Sequence, residues 1–230
     1  MRRLRMTAMF LAMGMLAIGG LAYASTQFTQ EAKITLTATK AGKSTGFKAS
    51  LKSADPGAVQ PQGLKTLTVT FPTNTKFNFK STAIKQCKAS STEIKATLGS
   101  ACPAKSKLGV GTATANGAPV LPVIPENVTA YAGKNEIVFF LSPSGPVGQL
   151  LVLRGKVSAN KLTVAVPVIK EAGLNIVITS LKLTIKAVGS GKQAFVTAGK
   201  CTSKKFVVKS SFVYQTGAKL SRSSSSKCSS

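Results

Sequence analysis

The stretch Leu64-Lys65-Thr66-Leu67-Thr68-Val69-Thr70-Phe71-Pro72 decides the fold class. Leu67, Val69 and Phe71 fall on one side of an extended chain and Thr68 and Thr70 on the other, the period-two pattern of a half-buried strand. Pro72 has no amide hydrogen to continue a ladder, so the strand stops there. The pattern recurs in both directions. Upstream, residues 33–39 alternate cleanly, 40–46 form a turn, and Phe47, Ala49 and Leu51 mark a partner strand, together a hairpin. Downstream, strands are expected at 127–132, 137–141, 147–157, 162–169, 174–188, 194–197 and 206–214.

Three of these segments carry extra information. Residues 137–141 are apolar at every position, so that strand should be covered on both faces. In 174–188, Leu174, Ile176 and Ile178 share one parity and Leu181, Leu183 and Ile185 the other. A bulge or bend near Thr179-Ser180 would keep both sets inward. Residues 118–125 carry Pro119, Pro122 and Pro125 and read as an extended, polyproline-like connector. Only 93–98 suggests helix, one turn or two. Roughly eleven or twelve short strands separated by turn signals predict an all-β fold, a β-sandwich or barrel-like single domain.

The N-terminus reads as a secretory signal, the alternative being a signal anchor kept in the membrane, since its apolar run approaches spanning length. Arg2, Arg3 and Arg5 precede an apolar run over 6–21, and Ala22-Tyr23-Ala24 supplies a small-x-small site with cleavage before Ser25. All five methionines lie at or before Met15. No second apolar run of spanning length follows, so the remainder is expected to be soluble once exported. The predicted organisation is a signal peptide at 1–24, a strand hairpin and linker at 25–62, a core domain at 63–216 and a Ser-rich tail at 217–230.

Cysteine usage agrees with export. Four cysteines, Cys87, Cys102, Cys201 and Cys228, allow three pairings. The sequence neighbours Cys87–Cys102 and Cys201–Cys228 are favoured, and closing a loop of the first size stabilises by about 3 kcal/mol. A metal site is disfavoured by the lack of any C-x2-C pair and of histidine, and no cofactor is expected.

Lysines and arginines number 31 against 6 acids, with no histidine and a formal charge of +25. Beyond the leader only Arg154 and Arg222 are arginines, so the charge is carried by lysine, a hydrated point charge suited to long-range attraction rather than bidentate recognition.

The candidate chemistries fail one by one. Gly42-Lys43-Ser44-Thr45 resembles the end of a phosphate-binding loop, but the position of its first glycine is Thr37 and no helix follows. Ser158-Ala159-Asn160-Lys161 fits S-x-x-K but lies in a turn between strands. Without histidine there is no Ser-His-Asp or Cys-His site. Paired carboxylates would need two of the scattered acids to meet in space. Lys76 and Lys80 alternate with Phe77 and Phe79, which puts cations and aromatics on opposite faces and argues against a specific nucleic-acid surface.

The stretch Ala101-Cys102-Pro103-Ala104-Lys105-Ser106-Lys107-Leu108-Gly109, with residues 64–72, Cys87, 128–131, 162–167, 181–185 and Cys201 before 206–214, resembles a family of secreted, uncharacterised actinobacterial proteins. Their signature is C-P-x-x-S-x-[IVL]-G. The resemblance spans residues 63–228 and implies an exported, disulfide-bonded β domain with no established activity to carry over. This chain departs in its lysine content and in having one copy of the domain. Beyond the signature, the small residues Gly109, Gly111 and Ala113 mark close approach of a neighbouring backbone.

The expectation is a non-enzymatic exported protein that adheres to anionic wall or extracellular polymers through a lysine-rich surface. The alternatives are a purely structural secreted domain, or a module for a neutral ligand such as a glycan, for which a groove with exposed Tyr131, Tyr214 or phenylalanines would be needed.

Overall fold

A computed structural model describes residues 28–229 except 57, 59 and 172. The signal segment expected from the sequence, with Ala22, Ala24 and Ser25, lies outside them. The strands are β1 (Thr29–Leu36), β2 (Phe47–Ala54), β3 (Leu64–Thr70), β4 (Lys76–Phe77) and β5 (Lys107–Gly117). There follow β6 (Leu121–Ala132), β7 (Glu136–Pro143), β8 (Leu151–Ser158), β9 (Lys161–Ala165) and β10 (Ile169–Glu171). The last are β11 (Leu174–Ile185), β12 (Val196–Thr197), β13 (Lys205–Tyr214) and β14 (Lys219–Lys227).

One sheet of 12 strands dominates, in the order β1-β2-β11-β5-β6-β7-β8-β9-β3-β13-β14, with β10 paired to β11. The fold is a nearly closed barrel rather than two stacked sheets. Every neighbouring pair on this path is antiparallel. An odd-numbered antiparallel path brings its two ends together in parallel, and the chain closes that seam with side chains. Ser224 donates to the Ile34 carbonyl at 2.6 Å and accepts from the Ile34 amide at 2.9 Å, and Arg222 donates to the Gln30 carbonyl at 2.7 Å. A parallel bridge joins Lys40 to Ser229.

The first and last strands both belong to this ring. The β1–β2 hairpin is continuous with the main sheet, because β2 is hydrogen-bonded on both sides, to β1 and to β11. The Ser-rich tail is β14, paired along its length with β13. Short hydroxyl side chains suit it to a seam where backbone pairing alone does not close the ring. The reading of 118–125 as a connector is corrected. Strand β6 begins at Leu121 and includes Pro125, which sits opposite Thr114 of β5.

The barrel is apolar inside and rich in Lys, Ser and Thr outside, the reverse of a membrane-spanning barrel. Strand β13 shows it, with Phe206, Val208, Phe212 and Tyr214 buried and Lys205, Lys209 and Ser211 exposed. Strand β7 is buried on both faces. Ile137, Phe139 and Leu141 enter the main core, while Val138 and Phe140 pack outside against Cys87, Ile94, Cys102 and Tyr131. Ile94 belongs to α1 (Ser91–Ala96), which starts with a capping box. Ser90 accepts from the Glu93 amide and the Glu93 carboxylate from the Ser90 amide, and these bonds hold that carboxyl below its ordinary 4.5. Arg154 of β8 donates to the Ala89 carbonyl and forms an ion pair with Glu136, the only one among the described residues.

In β11 the pairing to β5 shifts between Ile178 and Ser180, the slip that keeps Ile176, Leu183 and Ile185 all buried. Phe47, Phe71, Phe77, Phe79 and Phe195 pack ring against ring, at centroid separations of 5.1 to 6.5 Å, and fill one end of the barrel. Strands β4 and β12 pair with each other within this cluster.

Cys87 is bonded to Cys102 and Cys201 to Cys228, with Cα separations of 4.7 and 5.9 Å. The first fixes the α1 segment to the outer face of β6 and β7, where the Cys87 amide also donates to the Ala132 carbonyl. The second ties the end of β14 to the segment before β13. Replacing Cys201 and Cys228 together by Ser should lower stability by about 3 kcal/mol through the freed 27-residue loop. Urea unfolding without reductant, compared with the parent, measures this.

Candidate functional site

Alternating strand direction sends successive connections to opposite ends of the barrel. The aromatic-filled end receives the connections 37–46, 71–106, 133–135, 159–160 and 186–204, together with the chain after β14. The opposite end receives 55–63, 118–120, 144–150, 166–173 and 215–218. The lysines follow this division. Lys170 is the one lysine in the connections of the second end, whereas those of the filled end carry many. Of the six acids, Glu31, Asp55, Glu126 and Glu171 lie toward the second end.

At the filled end the fold gathers a basic patch from three distant segments. The Ala41 amide donates to the Ser229 carbonyl, Gly42 to Ala198, Ala198 to Lys43, Cys228 to Lys204 and Ser229 to Thr39, at 2.7 to 3.1 Å. With the Cys201–Cys228 bond, these contacts hold the β1–β2 turn, the segment before β13 and the end of β14 together. Lys40, Lys43, Lys200, Lys204, Lys205 and Lys227 are exposed on these segments, which contain no acid. Such a cluster raises the local concentration of any polyanion and is screened by salt.

The barrel interior is the second candidate. An 11-strand path encloses more width than its own side chains fill; about eight strands already leave room for a small ligand. A cavity of about 370 Å³ remains, lined by Ile34, Leu67, Phe139, Leu153, Leu183 and Phe212 among others, with no charged side chain among the described residues of its wall. Its polar groups sit toward the open end. Gln30 is buried and accepts from Ser53 at 2.6 Å and from the Tyr214 hydroxyl at 2.9 Å. Burial pushes that phenol well above its ordinary value of 10. Gln60, Pro61, Val166 and Pro167 from the connections at this end also line the cavity, with Gln60 donating to the Asn116 and Asn175 carbonyls.

Two acids read from sequence as isolated do meet. Glu126 of β6 and Glu171 of β10 line a cavity of about 20 Å³ beside the open end, each with one buried carboxylate oxygen lacking a protein partner. The space suits a water molecule rather than a sugar ring. Desolvation, then the Glu171 charge, pushes the Glu126 carboxyl up to about 7. A carboxyl whose folded pKa is raised stabilises the fold when protonated. Its contribution is complete below the unfolded value near 4.5 and is lost as pH rises through about 7. Stability should therefore fall across that window, and Glu126→Gln should flatten the dependence. Urea midpoints at about pH 5 and pH 8 test the sign.

The groove of exposed tyrosines required for glycan stacking is not formed. Tyr131 packs behind the first disulfide and Tyr214 is fully buried. Phe77 and Phe79 lie in the aromatic cluster, facing away from Lys76 and Lys80. Two disulfides are compatible with an extracellular protein, and no helix among the described residues is long and apolar enough to cross a membrane. No family model, curated protein or solved structure matches the chain.

Proposed function

We propose that this is an exported, non-enzymatic protein that adheres to anionic polymers of the cell envelope or its surroundings, through the basic patch at the filled end of the barrel. The observation that supports this reading is the gathering of Lys40, Lys43, Lys200, Lys204, Lys205 and Lys227 onto three hydrogen-bonded segments without an acid among them. Lysine suits the role. Its charge is compact and hydrated, and a polymer of repeating phosphate or carboxylate groups needs many weak, exchangeable contacts rather than one bidentate fork. The disulfide and the seam fix the patch to the barrel, so less chain entropy is lost on binding than with a free basic tail.

The test is binding of the disulfide-intact protein to immobilised dextran sulfate and polygalacturonate. Retention at about 50 mM salt should be lost by about 500 mM, as the screening length falls from above 10 Å toward 4 Å. Failure to bind either polymer at low salt would end this reading.

A further inference from the structure

We propose that the barrel interior is a binding site for a small uncharged amphiphile, an alkyl or isoprenoid chain with a neutral polar head such as a hydroxyl. This goes beyond the adhesion reading and does not depend on it. The cavity of about 370 Å³ falls in the range of small-molecule sites, roughly 300–1,000 Å³, and exceeds the roughly 150 Å³ that suffices to hold benzene in an apolar core. Its depth is formed by Ile34, Leu67, Phe139, Leu153, Leu183 and Phe212, which offer dispersion contacts and no hydrogen bond. An apolar chain gains transfer free energy for each methylene it buries there.

The head group is set by what lies at the mouth. Ser53, Gln60 and Gln215 line the open end and can bond a hydroxyl or amide. Among the described residues no charged side chain lines the cavity, and toward this end the acids Glu31, Asp55, Glu126 and Glu171 are balanced by Lys52, Lys65, Lys170 and Lys219. A charged head of either sign would enter with no counter-charge in the wall, at a desolvation penalty no wall group offsets. The protein's overall positive charge is therefore not a guide to this ligand, because acids and lysines balance toward this end and the basic patch sits at the other.

The experiment titrates the full mature protein with N-phenyl-1-naphthylamine, a neutral probe that fluoresces in apolar surroundings, and displaces it with 1-dodecanol, dodecanoate and dodecylamine near pH 8. One probe should bind per chain. Dodecanol should displace it at least about 10-fold more effectively than dodecanoate, a difference of about 1.4 kcal/mol. Ala49→Phe fills the cavity from β2 and should abolish uptake; Val166→Trp, at the half-buried mouth, should slow it without requiring the core to repack. Circular dichroism identifies any variant that fails to fold, and the Val166→Trp result then stands alone. Absence of uptake by the parent, or uptake unchanged by both variants, would overturn the site. Tighter displacement by dodecanoate or dodecylamine would overturn the uncharged head. Polymer adhesion is measured separately, so neither outcome bears on it.

Discussion

Gly111→Val should fail to form the barrel. Gly111 lies in β5 opposite Leu183 of β11, and a Cβ there would land on the Lys182 carbonyl oxygen. Gly109, two residues earlier, meets the Thr184 carbonyl in the same way. The obstacle is backbone in both places, so no side-chain rotation relieves it. Ordinary overpacking costs about 1–3 kcal/mol. Separating β5 from β11 breaks a central pairing, and the expected loss exceeds about 4 kcal/mol, a large share of the 5–15 kcal/mol typical of a domain. Gly145→Ala is the control, since a Cβ there meets nothing within 4 Å. It should leave the urea midpoint nearly unchanged, while Gly111→Val should lose the cooperative transition.

Reversing the charge of Lys40, Lys43, Lys200, Lys204, Lys205 and Lys227 to glutamate should weaken binding to dextran sulfate by at least about 100-fold, some 2.7 kcal/mol. The six side chains are exposed, so the fold should tolerate the change, and an unaltered urea midpoint would show it. Reversing Lys52, Lys65, Lys170 and Lys219, toward the other end, lowers the net charge in the same direction and should cost less than about 10-fold. The contrast separates a local patch from a diffuse field. Equal losses per charge in the two variants would mean that net charge, not arrangement, governs adhesion.

Much of the fold was legible in the sequence because a strand with one buried face writes its pattern at period two. Leu67, Val69 and Phe71 did so, and so did the parity change in β11, where the register slips between Ile178 and Ser180. Residues 137–141 announced two covered faces, and the outer cover is the α1 segment held by Cys87–Cys102. The tail was not legible. Serine carries no hydrophobic signal, and β14 owes its place to hydroxyl bonds across the seam, which depend on how many strands precede it. The prolines of 118–125 concealed a strand because only some positions of a strand need an amide hydrogen. The basic patch joins lysines far apart in sequence, and only the ring's connectivity brings them together. The cavity is likewise a property of strand number, and Glu126 and Glu171 meet because β10 folds back toward β6.

The most direct measurement is lysine acetylation footprinting of the protein with and without saturating dextran sulfate, read by mass spectrometry. Lys40, Lys43, Lys200, Lys204, Lys205 and Lys227 should become protected together, while Lys52, Lys65, Lys170 and Lys219 stay reactive. Uniform protection of all lysines, or protection centred on the open end, would contradict the account.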